Sequence, residues 1–182
     1  MRTTRFCQGI SDLSDSYSAF VLDQYGVLHN GVKVFDGVVE CLSELKNRRK
    51  IVILLSNSSK RAEDNRTRLA QLGITPDLYD HVVSSSEMVW QGLHAQTGLF
   101  KGLGKKCYLI SRGDDHSVLD GLDIELAATP QEADFVLLTG CDAPTKTLED
   151  YDPLLKAAAQ KRLKMICSNP EMRGLVNGTP VM

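Results

Sequence analysis

Two residues stand where chemistry is most easily done, an aspartate and a serine, each closing an apolar run. Phe20-Val21-Leu22-Asp23 leads into Gln24-Tyr25-Gly26-Val27-Leu28-His29-Asn30-Gly31, and Leu54-Leu55-Ser56 leads into Asn57-Ser58-Ser59-Lys60. Open α/β sheets bind ligands beyond the carboxyl ends of their strands. A carboxylate there can hold a hard cation such as Mg²⁺ and can attack a phosphoryl group. Gly26, three residues on, lets the backbone turn sharply around whatever that carboxylate engages. A hydroxyl at a strand end that runs into a helix N-terminus makes a phosphate site. Each also has a plain structural reading: Asp23 as the cap of its loop, Ser56 or Asn57 as the cap of the next helix. Two such strand ends in succession, one acidic and one hydroxyl-bearing, point toward phosphate chemistry.

Other constellations carry less. Gly102-Leu103-Gly104-Lys105-Lys106 lacks the spacing and the Ser/Thr of a phosphate loop and follows no strand. The histidines (His29, His81, His94, His116) have no metal-ligand spacing. His29 differs from the others in following the Asp23 loop, from which it could reach the site; packing on that loop is its bland alternative. Asn57, Asn65 and Asn177 begin glycosylation-type sequons, which mean nothing in an intracellular chain. Arg112-Gly113-Asp114 reads as a turn.

The elements that must position Asp23 and Ser56 alternate short apolar runs with amphipathic segments, the pattern of an α/β fold with a largely parallel sheet. Residues 18–23 read as a buried strand, and Asn30–Gly31 as a turn. Asp36 reads as the cap of a helix carrying Val38, Val39, Leu42 and Leu45 on one face. Residues 51–55 form a central strand, 59–72 a polar helix stopped by Gly73, and 81–83 a short strand. Ser84 and Glu87 form a capping box for a helix through Trp90 and Leu93. Residues 96–105 lose periodicity and read as a linker. A second series follows, with strands at 107–110, 134–138 and 165–167, and a helix over 152–162 with Pro153 at its first position. This gives a core segment at 1–95, an inserted α/β cap at 96–167, and the start of a return to the core at 168–182.

Composition narrows the class. The chain has 182 residues, 42% hydrophobic and 24% charged, with net charge −2. That balance gives no argument for nucleic acid or an anionic membrane as partner. Lysine and arginine runs at 46–50 and 161–164 close helical patterns, where cations suit the helix dipole. No apolar run approaches the roughly 20 residues of a membrane span. The N-terminus lacks the apolar stretch of a signal peptide. Five scattered cysteines in no CxxC pair fit a reduced, cytoplasmic protein.

Asp-x-x-Gly-Val-Leu after an apolar strand, then Leu-Ser-Asn-Ser at the next, resembles motifs I and II of the haloacid dehalogenase superfamily. The Gly-Val-Leu-His-Asn-Gly continuation and a cap after the third strand resemble its class IIA branch, the nitrophenyl-phosphatase-like and sugar-phosphatase-like enzymes. Leu138-Thr139-Gly140-Cys141-Asp142 and Ile166-Cys167-Ser168-Asn169-Pro170-Glu171 are similar to that branch's cap, so the resemblance covers nearly the whole chain. It implies a Rossmannoid parallel-sheet core, incomplete at the C-terminus, with an inserted α/β cap. It implies Asp23 as nucleophile and Mg²⁺ ligand, Ser56 and Asn57 at the transferring phosphate, and the residue-25 carbonyl as a second metal ligand. The substrate is then a small phosphorylated metabolite, hydrolysed through an aspartyl-phosphate, and cap domains of this kind can also build a homo-oligomer.

The family usually has a second aspartate two residues after the nucleophile, where this chain has Tyr25. A phenol, titrating near ~10, can donate a proton but is a poor base at neutral pH. The family's downstream lysine and acidic metal-binding motif belong after the cap, and the adjacent Asp114 and Asp115 fall within it. The sequence therefore supports two expectations: an active phosphohydrolase, or an impaired or truncated relative, feebly active at most, with a metabolite-binding or regulatory role.

Overall fold

The computed structural model describes residues 6–142, 145–170, 174–176 and 179–181; Glu171 and Asn177 of the motifs above lie outside the described residues. Packing divides the chain into two compact units, Met1–Ser56 with Arg66–Val83, and Asn57–Asn65 with Ser84–Met182.

The first unit contains α1 (Ser11–Ser14), β1 (Ala19–Asp23), α2 (Val38–Asn47), β2 (Ile51–Ser56), the latter part of α3 (Ala62–Gln71), and β3 (His81–Ser84) up to Val83. Its strands lie in the order β1-β2-β3. β1 and β2 are parallel, in register from Ala19 opposite Ile51 to Asp23 opposite Leu55. Phe20, Val52, Leu54 and Val82 pack with Leu42 and Leu45 of α2 and Leu69 of α3. Residues 18–23, read from sequence as a fully buried strand, instead alternate: Phe20 is buried, while Val21 is 60% exposed, as are Ile51 and Leu55 at 47% and 46%. Successive side chains on a strand point to opposite faces, and the buried core gathers on the α2 face. Asp80 ties this sheet together, accepting from the Val52 N–H at 2.7 Å and from Lys46 at 2.6 Å. The α2 cap is Gly37 rather than Asp36. Gly37 sits at φ 81°, a left-handed entry that needs no side-chain cap.

The second unit contains α4 (Ser85–Ala95), β4 (Lys106–Ile110), β5 (Glu125–Leu126), β6 (Phe135–Leu138), α5 (Leu148–Gln160), β7 (Lys164–Cys167) and the hairpin β8 (Gly174–Val176) with β9 (Thr179–Val181). β5-β4-β6-β7 form one sheet in which each neighbouring pair is parallel. Val89, Leu93, Cys107, Phe135 and Leu137 pack on one face, and Ile110, Val136, Leu155 and Ala158 on the other. Burial pushes the Cys107 thiol up to about 12, which makes it a core residue rather than a reactive one.

Three sequence expectations change here. The helix expected to close the segment 1–95 is α4, and its Val89 and Leu93 belong to the second unit's core. Its apolar face was legible, but not which sheet it would cover. The stretch 96–105 is anchored rather than a loose linker: Gly98–Phe100 is a 3₁₀ turn and Leu103 is buried in the same core. α5 begins at Leu148, with Thr147 and Asp150 forming a capping box, so Pro153 lies inside the helix instead of at its first position. Of 168–182, read as a return to the core, the described strands β8 and β9 pair antiparallel with each other. Among the described residues no helix is long and apolar enough to cross a membrane.

Gly92 gives a stability prediction. A Cβ built there would run into the Phe100 ring. Gly92→Ala is expected to cost about 1–3 kcal/mol through overpacking, despite alanine's better helix propensity. Urea unfolding measures this, and an unchanged or raised midpoint would show that Phe100 yields freely.

Candidate active site

Asp23 is the last residue of β1, and its register partner Leu55 immediately precedes Ser56, the last residue of β2. The two expected reacting groups therefore sit on adjacent parallel strands at one carboxyl edge. Tyr25 follows in the loop. Asn57, next after Ser56 in the chain, packs in the second unit, where its Nδ2 donates to Asn169 Oδ1 at 3.3 Å.

The loop after Asp23 is a tightly bonded turn. The Gln24 carbonyl accepts from the N–H groups of Leu28 (2.9 Å) and His29 (3.2 Å), and the Gly26 N–H donates to the His29 carbonyl at 2.8 Å. Those bonds make a backbone bridge between Tyr25 and His29 in which Tyr25's own carbonyl takes no part. Asn30 Oδ1 accepts from the N–H groups of Val32 and Lys33, both at 2.9 Å, closing the next turn. Gly31 is required: its φ is +89°, and a Cβ would lie 2.9 Å from the Tyr25 ring. The Tyr25 and His29 rings meet edge-to-face with centroids 5.7 Å apart. Gln24 is buried, and its Nε2 has no hydrogen-bond partner among the described residues.

His29, left open by the sequence, is drawn into this cluster. It is 4% exposed, and its Nδ1 accepts from the Gly31 N–H at 3.1 Å, which leaves the ring's other nitrogen to carry the proton when neutral. Arg68 donates to the Gly31 carbonyl at 3.0 Å. Burial chiefly, and then the Arg68 charge, hold the His29 pKa below its ordinary value, against the opposing pull of Asp23. Sequence reasoning missed Arg68, which lies on a polar helix with nothing local to single it out.

This shift has a sign. Because the folded-state pKa is lowered, the unfolded chain binds more protons as pH falls through the ordinary histidine range near ~6.5. His29 therefore supports stability above that range and withdraws support below it. Urea midpoints are expected to drop from pH 7 to pH 5, and His29→Gln should flatten the drop while keeping an acceptor for Gly31. An equal drop in the variant would place the dependence elsewhere.

In the second unit, Lys60 pairs with Asp115 at 2.7 Å, and Arg61 holds Glu87 through two hydrogen bonds of 2.9 and 3.1 Å. Burial pushes the Asp115 carboxyl up, but hydrogen bonds from Lys60 and Ser117 outweigh it and hold the group below its ordinary value. Ser84 caps α4 by accepting from the Glu87 N–H, but the Glu87 carboxylate turns to Arg61, so only one half of the expected capping box forms.

Among the described residues no three His, Cys, Asp or Glu side chains gather as a metal cluster. The expected metal donors, the Asp23 carboxylate and the Tyr25 carbonyl, are a set suited in kind to a hard divalent cation.

The sequence family described as haloacid dehalogenase-like hydrolase matches residues 20–125. The curated proteins yield no match. Among solved structures, a haloacid dehalogenase-like hydrolase from Brucella suis is similar at 29% identity and TM-score 0.79, over 93% of this chain and 62% of that one. A 4-nitrophenylphosphatase from Thermotoga maritima is similar at 25% identity and TM-score 0.67, over 93% of this chain and 61% of that one. A glycerol phosphate phosphatase from Mycobacterium tuberculosis, in complex with magnesium, shares the fold at 17% identity and TM-score 0.65, over 89% of this chain and 47% of that one. The chain thus spans about three fifths or less of these proteins' lengths.

Proposed function

The chain belongs to the haloacid dehalogenase-like hydrolases, in their class IIA branch, and from that premise we propose that it is a phosphohydrolase of small phosphorylated metabolites, working through an aspartyl-phosphate. The observation that carries this reading is the placement of Asp23 and Ser56 on adjacent parallel strands at one carboxyl edge. In this reading 1–95 supplies the catalytic core and 96–167 the cap, with α4 packing on the cap side. The low net charge and the five unpaired cysteines fit a cytoplasmic enzyme of small molecules.

An Asp23 oxygen attacks phosphorus, the bond from phosphorus to the leaving oxygen breaks, and that oxygen takes a proton, for which the Tyr25 hydroxyl is the nearest candidate in sequence. Ser56 and Asn57 hold the phosphoryl oxygens. Water then attacks phosphorus as its bond to the Asp23 oxygen breaks, restoring the carboxylate, and the proton that water gives up leaves with the inorganic phosphate. A magnesium ion held by Asp23 and the Tyr25 carbonyl would offset negative charge on the phosphoryl group. A phenol serves the water step poorly, so breakdown of the aspartyl-phosphate is expected to be slow.

Acid quenching during exposure to 4-nitrophenyl phosphate and magnesium, followed by peptide mass spectrometry, tests the proposal. Covalent phosphate on the Asp23 peptide is expected. Phosphate on another residue, or turnover with no such adduct under rapid quench, would overturn it.

A further inference from the structure

The segment between β2 and α3 lies in the second unit, where four side-chain bonds hold it. Asn57 Nδ2 donates to Asn169 at 3.3 Å, Ser85 Oγ donates to the Ser58 carbonyl at 3.4 Å, Lys60 pairs with Asp115 at 2.7 Å, and Arg61 with Glu87 at 2.9 Å. Asn169 follows β7 and Asp115 follows β4, so two of the four anchors come from loops beyond the carboxyl ends of the second sheet's strands.

The turn itself is internally closed. The Lys60 N–H donates to Ser58 Oγ at 3.1 Å, and the buried Asn65 side chain donates to the carbonyls of Lys60 (3.0 Å) and Arg61 (2.9 Å). These bonds close the turn between Ser58 and Asn65, and Asn57 is the residue that leads into it. Asp115 is built to receive Lys60, because its other oxygen accepts from both the N–H and the hydroxyl of Ser117, at 3.1 and 2.7 Å.

We propose that Lys60 and Asp115 form a clasp that positions Asn57, so that the second unit sets the orientation of this phosphate-binding side chain. The ligand part of this inference rests on the function proposed above; the clasp itself does not.

Magnitude separates this role from plain stabilisation. The Lys60 side chain is 51% exposed and that of Asp115 21%, and such pairs contribute roughly 0–1 kcal/mol to folding. The second unit is held by apolar layers on both faces of its sheet, so cutting the clasp leaves global stability nearly unchanged. Its effect falls on the orientation of Asn57, where a displacement of about 1 Å can cost on the order of 10²-fold in a site that depends on alignment.

The test compares Lys60→Met, Asp115→Asn and the reversed pair Lys60→Asp with Asp115→Lys against the parent protein. Amide hydrogen exchange at residues 57–60, without ligand, is expected to speed up about 10-fold in both single variants and to slow again in the reversed pair. Inorganic phosphate affinity should fall about 10-fold in the singles and recover with the reversal, while melting temperatures stay within about 2 °C. Unchanged exchange in the singles overturns the clasp. Failure of the reversed pair to restore phosphate binding, with exchange restored, overturns the positioning role and makes Lys60 a direct ligand of phosphate. If exchange responds as expected but the parent binds no phosphate, the clasp stands and the phosphohydrolase reading falls.

Discussion

Replacing Tyr25 with aspartate is expected to raise steady-state turnover of 4-nitrophenyl phosphate by about 10² to 10⁴-fold over the parent protein, the usual worth of acid–base assistance. The two chemical steps make unequal demands on residue 25. Nitrophenolate leaves readily with little help from an acid, so the first step can proceed with a phenol nearby. The second step needs a base to take a proton from water, and phenols, ionising near ~10, are poor bases at neutral pH. The parent should therefore release a burst of nitrophenol close to one equivalent and then slow, whereas Tyr25→Asp should turn over continuously. The substitution removes the ring that packs edge-to-face on His29 and against Gly31, so a urea midpoint must accompany the kinetics. A folded variant with the parent's steady-state rate would show that residue 25 does not govern the water step.

Asp23→Asn should abolish turnover, with a loss of roughly 10³-fold or more, as removal of a nucleophile commonly brings. An amide oxygen neither attacks phosphorus effectively nor carries the charge that holds a divalent cation. The geometry supplies a readout that does not depend on turnover. Asp23 is the influence that raises the His29 pKa, against burial and Arg68. Neutralising it should move that histidine's titration further down, as followed by NMR of the ring protons. A shift without loss of activity would place the nucleophile elsewhere, and loss of activity without a shift would mean that Asp23 does not face His29.

Local signals were sufficient for much of this architecture. Five apolar residues at 51–55 sit inside β2, Gly73 follows α3 at φ +98°, and Ser84 caps α4. Each depends on neighbours a few residues away, through periodicity, backbone freedom or a cap hydrogen bond. Where local readings failed, the chain used a different local signal: α2 is entered through Gly37 rather than Asp36, and α5 through the Thr147–Asp150 capping box rather than Pro153.

The residue types and their order along the chain determined that an aspartate and a serine end successive apolar strands, because strand periodicity and turn-forming residues act over short distances. Folding in three dimensions decided which distant groups meet within each unit. Arg68 is 37 residues from the Gly31 carbonyl it binds, and Asp115 is 55 residues from Lys60. The side assignment of α4 was settled in the same way, by Val89 and Leu93 meeting Cys107, Phe135 and Leu137. An amphipathic helix specifies that it has an apolar face, but the sheet that buries this face is chosen by long-range packing, which no local window of sequence contains.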